Sequence, residues 1–230
     1  MFELVYKHPN MNMVKIKSNI VYNLGQDKPQ MMDLYYPIEA NLPQPKTVIM
    51  AHGSSSMENI KDMDVFQSWG KVMAASGFTA IVFNWRPDDA PADMSALISY
   101  VRENHVELKI HKDNISLFAF SAGVENAFKE AINGNSDFIK SFIAYYGKID
   151  PSSFEKLRKN QCPAVFIAMG ALDDIFSTDC NDEFINNAKK LGSPIEFIIH
   201  SKGEHGFDVF NDDEETKLII DKTIEFIMKY

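Results

Sequence analysis

The stretch Ile115-Ser116-Leu117-Phe118-Ala119-Phe120-Ser121-Ala122-Gly123 decides how the rest of the chain is read. It is an apolar run of strand length that ends in a serine flanked by small residues. A serine on a sharp strand-to-helix turn sits in strained backbone, where bulk two positions before or after it would clash. Such a turn would hold Ser121 Oγ out as a nucleophile. The usual form of the pattern is G-x-S-x-G; here Ala119 stands at the first glycine position and Gly123 at the second. Taken by itself the pentapeptide reads equally well as a structural turn, so the flanking sequence has to decide.

On both sides of this stretch, short β-rich apolar runs alternate with segments of helical period, the pattern of a mostly parallel sheet covered by helices on both faces. Buried strands are expected over residues 47–51, 79–83, 115–120, 141–145, 164–169 and 195–200, each too apolar on both faces to border water. Helices are expected over 57–76, 91–107, 122–133, 179–191 and 213–228. Pro91 suits a first helical turn, and Gly77, Gly134 and Gly192 suit helix exits. Two alternating segments, 13–22 and 31–36, are joined through Gly25 and Asp27 with no helix between them, so they should pair antiparallel and edge the sheet. The class is α/β, a twisted sheet of about eight strands.

Length and charge narrow the function. At 230 residues and 45% apolar, without repeats or low-complexity tracts, the chain can bury one large core, and a single domain over 1–230 is expected. The 32 acidic against 23 basic residues give a net charge of −9, the wrong sign for tracking phosphates, so nucleic acid is not an expected partner. No basic stretch leads into an apolar run at the N-terminus, and no segment approaches the roughly 20 apolar residues of a membrane helix. Cys162 and Cys180 match no metal or redox spacing and read as free thiols. A cytoplasmic protein that meets neither membrane nor metal is the expectation.

In such a sheet chemistry gathers at the carboxyl ends of the strands. After 47–51 comes His52-Gly53-Ser54-Ser55-Ser56, a small-residue loop that can turn backbone N–H groups toward an oxyanion. The N–H of Ser54 would supplement that of Ala122, the residue after the nucleophile, with Ser55 as the alternative donor. His52 follows the wrong strand for a base and reads as a structural hydrogen-bonder. After 164–169, Gly170-Ala171-Leu172-Asp173-Asp174-Ile175-Phe176 sets two carboxylates where the third member of a triad would stand, one to accept an imidazole Nδ1–H and the other solvated. After 195–200, Ser201-Lys202-Gly203-Glu204-His205-Gly206-Phe207 carries a histidine near its tip. Of the six histidines, His205 alone follows both the last strand and the acid.

Serine, then acid, then histidine, each directly after its own strand, is the chain order of α/β-hydrolases. From about Met32 onward the chain resembles α/β-hydrolases of the dienelactone-hydrolase and small-carboxylesterase type. Met32-Asp33-Leu34-Tyr35-Tyr36-Pro37 resembles their opening D-x-Y-x-P strand, His52-Gly53 their oxyanion motif, and Phe83-Asn84-Trp85-Arg86 their aromatic-arginine segment. Gly170-Ala171-Leu172-Asp173 resembles their glycine-x-x-acid motif, which implies Asp173 rather than Asp174 as the acid. Gly203-Glu204-His205-Gly206-Phe207 resembles their histidine loop. Two departures stand out: alanine at the first elbow position, and serine where the dienelactone hydrolases use cysteine.

Only residues 147–161 separate the strand at 141–145 from the next, room for one short helix around 152–159 rather than a lid of several helices. An open site follows, its walls drawn from loop residues such as Met57, Trp85, Tyr146, Ile175 and Phe207. Arg86 is the one candidate anchor for an acidic substrate, against an ion pair with Asp88 or Asp89. The expected activity is hydrolysis of small, short-acyl carboxylic esters by Ser121, His205 and Asp173, with no cofactor. Thioesters or short peptides are the alternative substrates of the same triad, and a non-catalytic binding protein on this fold is the alternative of another class.

Overall fold

In the computed structural model, which describes residues 3–25, 28–38, 44–53, 59–132, 136–152 and 162–230, the apolar runs become one sheet. Asp27, Gly134, the loop positions Ser54, Ser55 and Met57, and most of the short helix expected over 152–159 lie outside the described residues. The strands are β1 (Lys15–Asn23), β2 (Gln30–Tyr36), β3 (Thr47–Ala51), β4 (Thr79–Phe83), β5 (Ile115–Phe120), β6 (Ile139–Tyr145), β7 (Ala164–Gly170) and β8 (Ile195–His200). Their spatial order is β1-β2-β4-β3-β5-β6-β7-β8. β1 pairs antiparallel with β2, as the missing helix between them requires, and β2 antiparallel with β4. The remaining pairs are parallel. The chain therefore goes from β3 to β4 on one side and then crosses to β5 on the other. A crevice opens at the carboxyl ends of strands where the order reverses in this way, and ligands of open α/β sheets bind there.

Alternation along the strands builds two apolar layers. Ile49, Ile81, Leu117, Phe142 and Ile167 face one side, where α2 (Ala90–Glu103), α4 (Gly123–Ala131) and α5 (Asp182–Leu191) cover them with Leu97, Phe128 and Phe184. Val48, Val82, Phe118, Ile143 and Phe166 face the other, against Trp69 and Val72 of α1 (Asp64–Ala75) and Ile220 and Ile227 of α7 (Glu214–Lys229). Each fully buried aliphatic or aromatic side chain of this kind contributes about 1.5–3 kcal/mol. α3 (His105–Leu108) and α6 (Phe207–Phe210) are single turns.

Three sequence expectations are corrected. The helix expected from residue 57 begins at Asp64, because Ile60–Asp62 form a separate 3-10 turn and Met63 is extended. The Asn84 side chain accepts the Lys61 N–H, and the buried Lys61 ammonium pairs with Asp33, tying this turn to the sheet instead of to α1. The helix expected over 91–107 divides at Asn104, whose N–H and side-chain amide both bond the Tyr100 carbonyl and close α2. β8 is not a doubly buried strand. It is last in the sheet, and all of its residues except His200 are at least partly exposed. Its apolar side chains reach both layers, Ile195 and Phe197 on one face and Ile198 on the other, but without a further strand beside them they stay partly exposed.

Candidate active site

The backbone at Ser121 carries the strain that the small flanking residues anticipate. Its φ is 51°, in the left-handed region that costs an L-residue roughly 1–2 kcal/mol. Two bonds hold it there: the Ser121 N–H continues the ladder to the Tyr145 carbonyl, and its own carbonyl accepts the Val124 N–H at the start of α4. Gly123 is needed for close approach. A Cβ at Gly123 would lie 2.1 Å from the His52 carbonyl oxygen and 2.9 Å from that of Ala51, so any side chain would push α4 away from β3. Ala119, at the first elbow position, is accommodated because its partners across the sheet are Ala51 and Ala144.

Two further loops bring their side chains to the serine. His205 Nε2 lies 2.9 Å from Ser121 Oγ, and His205 Nδ1 lies 2.9 Å from Asp173 Oδ2. The carboxylate can only accept, so Nδ1 carries the proton and Nε2 presents its lone pair to the serine hydroxyl. The Asp173 side chain is fully buried and that of His205 is one fifth exposed. Asp173 Oδ1 accepts the N–H groups of Ile175 and Phe176, which leaves the carboxylate few alternative orientations. Asp174 is exposed. The two loops are pressed together at a glycine pair: a Cβ on Gly170 would lie 2.3 Å from the Gly203 carbonyl oxygen, and the Leu172 N–H donates to that oxygen. This contact sets the register between acid and histidine.

The Ala122 N–H opens α4 beside the serine and has no acceptor among the described residues. On the opposite side of the crevice, Gly53 abuts the serine, since a Cβ there would lie 2.9 Å from Ser121 Cβ. His52 Nδ1–H donates to the Gly53 carbonyl at 2.7 Å, and the ring packs against Trp85 with centroids 4.6 Å apart. Burial pushes the His52 imidazole down to about 4, only partly offset by that hydrogen bond. A neutral, fixed imidazole suits the structural part expected of it.

The sequence profile of the family described as BD-FAE matches residues 32–202. The chain belongs to the BD-FAE family. Solved structures carry the same fold across nearly the whole chain. A truncated carbohydrate esterase from gut microbiota superposes with a TM-score of 0.76 at 18% identity, covering 96% of this chain and 100% of the other. An esterase from the Planctomycetes species Thermogutta terrifontis, solved with butyrate bound, gives 0.72 at 18%, covering 96% and 95%. The same esterase has been solved phosphoramylated by tabun, with a TM-score of 0.71 at 19% identity over 96% and 94% of the chains. An α/β-hydrolase from a Medee basin deep-sea metagenome library gives 0.69 at 18%, covering 94% and 97%. No curated protein sequence matches the chain. The α/β-hydrolase fold expected from the sequence is thus borne out.

In this BD-FAE member the expected wall residues divide. Ile175 is 61% exposed beside the acid loop, and Tyr146 stands edge-on to the His205 ring at 4.8 Å between centroids. Trp85 covers His52. Phe207 is corrected: it is fully buried between Tyr145, Tyr146 and His200, a core residue beneath the site rather than a wall of it. Met57 and Ser54 lie outside the described residues. Arg86 is held by Asp93 through Nε and Nη2 and by Asp89 through Nη1, so its main partner is a helix residue the sequence reading did not name. Beyond Trp85 a cleft of about 710 Å³ extends over β1, β2 and the end of β4, lined by Asn19, Gln30, Asn59, Asn84, Trp85 and Arg86. Sequence reading also missed Phe176, whose ring lies 6.0 Å from that of His205, and Asp208, a buried carboxyl just past the histidine. The only sequence signal for Asp208 is its charge inside the apolar run Phe207-Asp208-Val209-Phe210. Cys162 and Cys180 are free. Among the described residues no helix is long and apolar enough to cross a membrane, and no cluster of metal-ligating side chains is present.

Proposed function

We propose that this protein is a serine hydrolase that cleaves carboxylic esters through an acyl-enzyme, with Ser121, His205 and Asp173 as its triad. The observation that carries the proposal is the continuous line from the left-handed Ser121 through His205 to the buried Asp173, with 2.9 Å at each step. Ser121 Oγ attacks the ester carbonyl while Nε2 of His205 takes its proton, and Asp173 stabilises the imidazolium that forms. The oxyanion is received by the Ala122 N–H and, on the sequence reading, by that of Ser54. As the tetrahedral intermediate collapses, the imidazolium returns the proton to the leaving alkoxide. Water activated by the same imidazole then releases the acid. The butyrate and tabun complexes of the Thermogutta terrifontis esterase support this reading, since an organophosphate modifies an activated nucleophile and butyrate is a short acyl product. Acyl groups of about two to six carbons are the proposed preference, because each added methylene gains only about 0.8 kcal/mol where it is truly buried.

A second reading concerns the alcohol side. The cleft beyond Trp85 is polar, lined by Asn19, Asn59, Lys28, Asp62 and Arg86 beside an aromatic ring, groups suited to a polyhydroxylated alcohol, and a carbohydrate esterase shares the fold. Labelling with a fluorophosphonate, followed by kcat/KM on p-nitrophenyl esters of increasing chain length and on acetylated sugars, tests both readings. Ser121→Ala should abolish labelling and lower hydrolysis by about three or more orders of magnitude. Normal turnover by that variant would end the nucleophile assignment. Values that keep climbing with chain length, or a jump at the solubility limit, would end the short-acyl one.

A further inference from the structure

The two edges of the sheet are finished differently. β1, at one edge, carries Lys15 and Lys17, loses register with β2 between Lys17 and Ile20 and again between Val21 and Asn23, and turns through a left-handed Asn19 at φ 59°. Lysines and bulges of this kind keep an edge from pairing with a foreign strand. β8, at the other edge, has neither. It runs Ile195-Glu196-Phe197-Ile198-Ile199-His200, without lysine or proline and in unbroken parallel register with β7. Its one carboxylate, Glu196, lies 4.0 Å from Lys229 of α7.

Hydrogen bonds at its two ends fix which backbone groups β8 leaves open. The Pro194 carbonyl accepts the Val165 N–H at 2.9 Å, and the His200 carbonyl accepts the Ala171 N–H at 2.9 Å. Strand groups alternate in direction with period two, so residues 196 and 198 also turn to β7, while the N–H and C=O groups of Ile195, Phe197 and Ile199 point out of the sheet. On either side the next outward N–H is already taken, that of Ser193 by the Ala188 carbonyl at 3.1 Å and that of Ser201 by Glu215 Oε1 at 3.0 Å. The open stretch is therefore short and centred on Phe197, and among the described residues no second strand pairs with it. Such a stretch is complementary to itself. A second copy laid antiparallel about a twofold axis at Phe197 sets Phe197 against its counterpart and Ile195 against Ile199, and each facing pair exchanges two hydrogen bonds. The side chains agree with this register. Ile195, Phe197 and Ile199, the last 41% exposed, form one apolar row that continues into the same row of the second copy, and Glu196 meets Ile198 rather than another carboxylate.

We propose that β8 is a dimerisation edge: it pairs antiparallel with β8 of a second copy of this chain and joins the two eight-stranded sheets into one. The crevices at the carboxyl ends of the parallel strands then open in opposite directions, so neither copy covers the other's site. Light scattering on the full chain after gel filtration, at high micromolar concentration, should give twice the monomer mass. Ile199→Lys sets a lysine on the edge opposite Ile195 of the second copy and should run at the monomer mass with an unchanged circular dichroism spectrum. The register is tested with Phe197→Cys in a Cys162→Ser, Cys180→Ser background. Its paired Cα atoms would lie about 5.5 Å apart, within disulfide reach, so mild oxidation should give a covalent dimer, whereas Ile199→Cys in the same background should stay uncrosslinked. A monomeric wild type would overturn the proposal and leave the edge to a strand of another protein. A dimer that persists in Ile199→Lys, or a folded Phe197→Cys protein that does not crosslink, would overturn it too. Should Phe197→Cys not fold, Ile199→Lys decides alone: monomer mass upholds the proposal and dimer mass overturns it.

Discussion

Acid should unfold this protein in part through His52, and the size of the effect follows from its environment. The ring is 3% exposed, its Nδ1–H is committed to the Gly53 carbonyl, and its Nε2 has no partner among the described residues. Its folded value of about 4 lies well below the ordinary 6.5. As pH falls through 6.5 the unfolded chain takes up a proton at this position and the folded one does not, so the unfolded state is favoured until the folded value is also passed. The stability this group lends is therefore complete above the unfolded value and lost on acidification, to a limit of about 3 kcal/mol. Between about pH 7 and about pH 5 the expected loss is about 2 kcal/mol. Other groups titrate in this window, so the comparison is with His52→Asn, which retains a donor for the Gly53 carbonyl and cannot titrate. Urea unfolding at both pH values should show the wild-type midpoint falling further than the variant's, by the equivalent of that 2 kcal/mol at an unchanged slope. Parallel losses in the two proteins would refute the reasoning, because they would mean that His52 is protonated in the fold or reached by water there.

Two more substitutions probe the site. Asp173→Asn should lower kcat at least about a hundredfold more than Asp174→Asn, since only Asp173 accepts the His205 Nδ1–H; steady-state kinetics that rank them equally would dismiss Asp173 as the acid. Gly123→Ala should destabilise the fold by about 2–4 kcal/mol in thermal unfolding and slow fluorophosphonate labelling of Ser121, because its methyl would enter the His52 carbonyl. A wild-type Tm with wild-type labelling would show that α4 can retreat from β3 without moving the serine.

Much of the framework was legible in the residues themselves. β3, β4, β5 and β8 run over the residues their apolar runs mark out, because a stretch that must be apolar on one or both faces and ends in turn-forming residues leaves little freedom in its bounds. The antiparallel start follows from the lack of a helix between 13–22 and 31–36, and the α/β alternation from periodicity alone. Where local pattern met a tertiary contact, the contact won. The start of α1 was set by Asn84 and Asp33, which are distant in sequence from Lys61, and the exposure of β8 by its place at the end of the sheet order.

The site divides along the same line. The sequence by itself determined that Ser121, Asp173 and His205 each follow a strand, because residue type and strand-end position are local properties. Only the tertiary structure decided that His205 reaches a serine 84 positions away, that Gly170 and Gly203 press the acid and histidine loops together, that Phe207 belongs to the core, and that Asp208 is buried against the Trp69 indole. These depend on how far apart packed layers come to rest, a distance set by the summed volumes of side chains from the whole chain and carried by no single stretch of it.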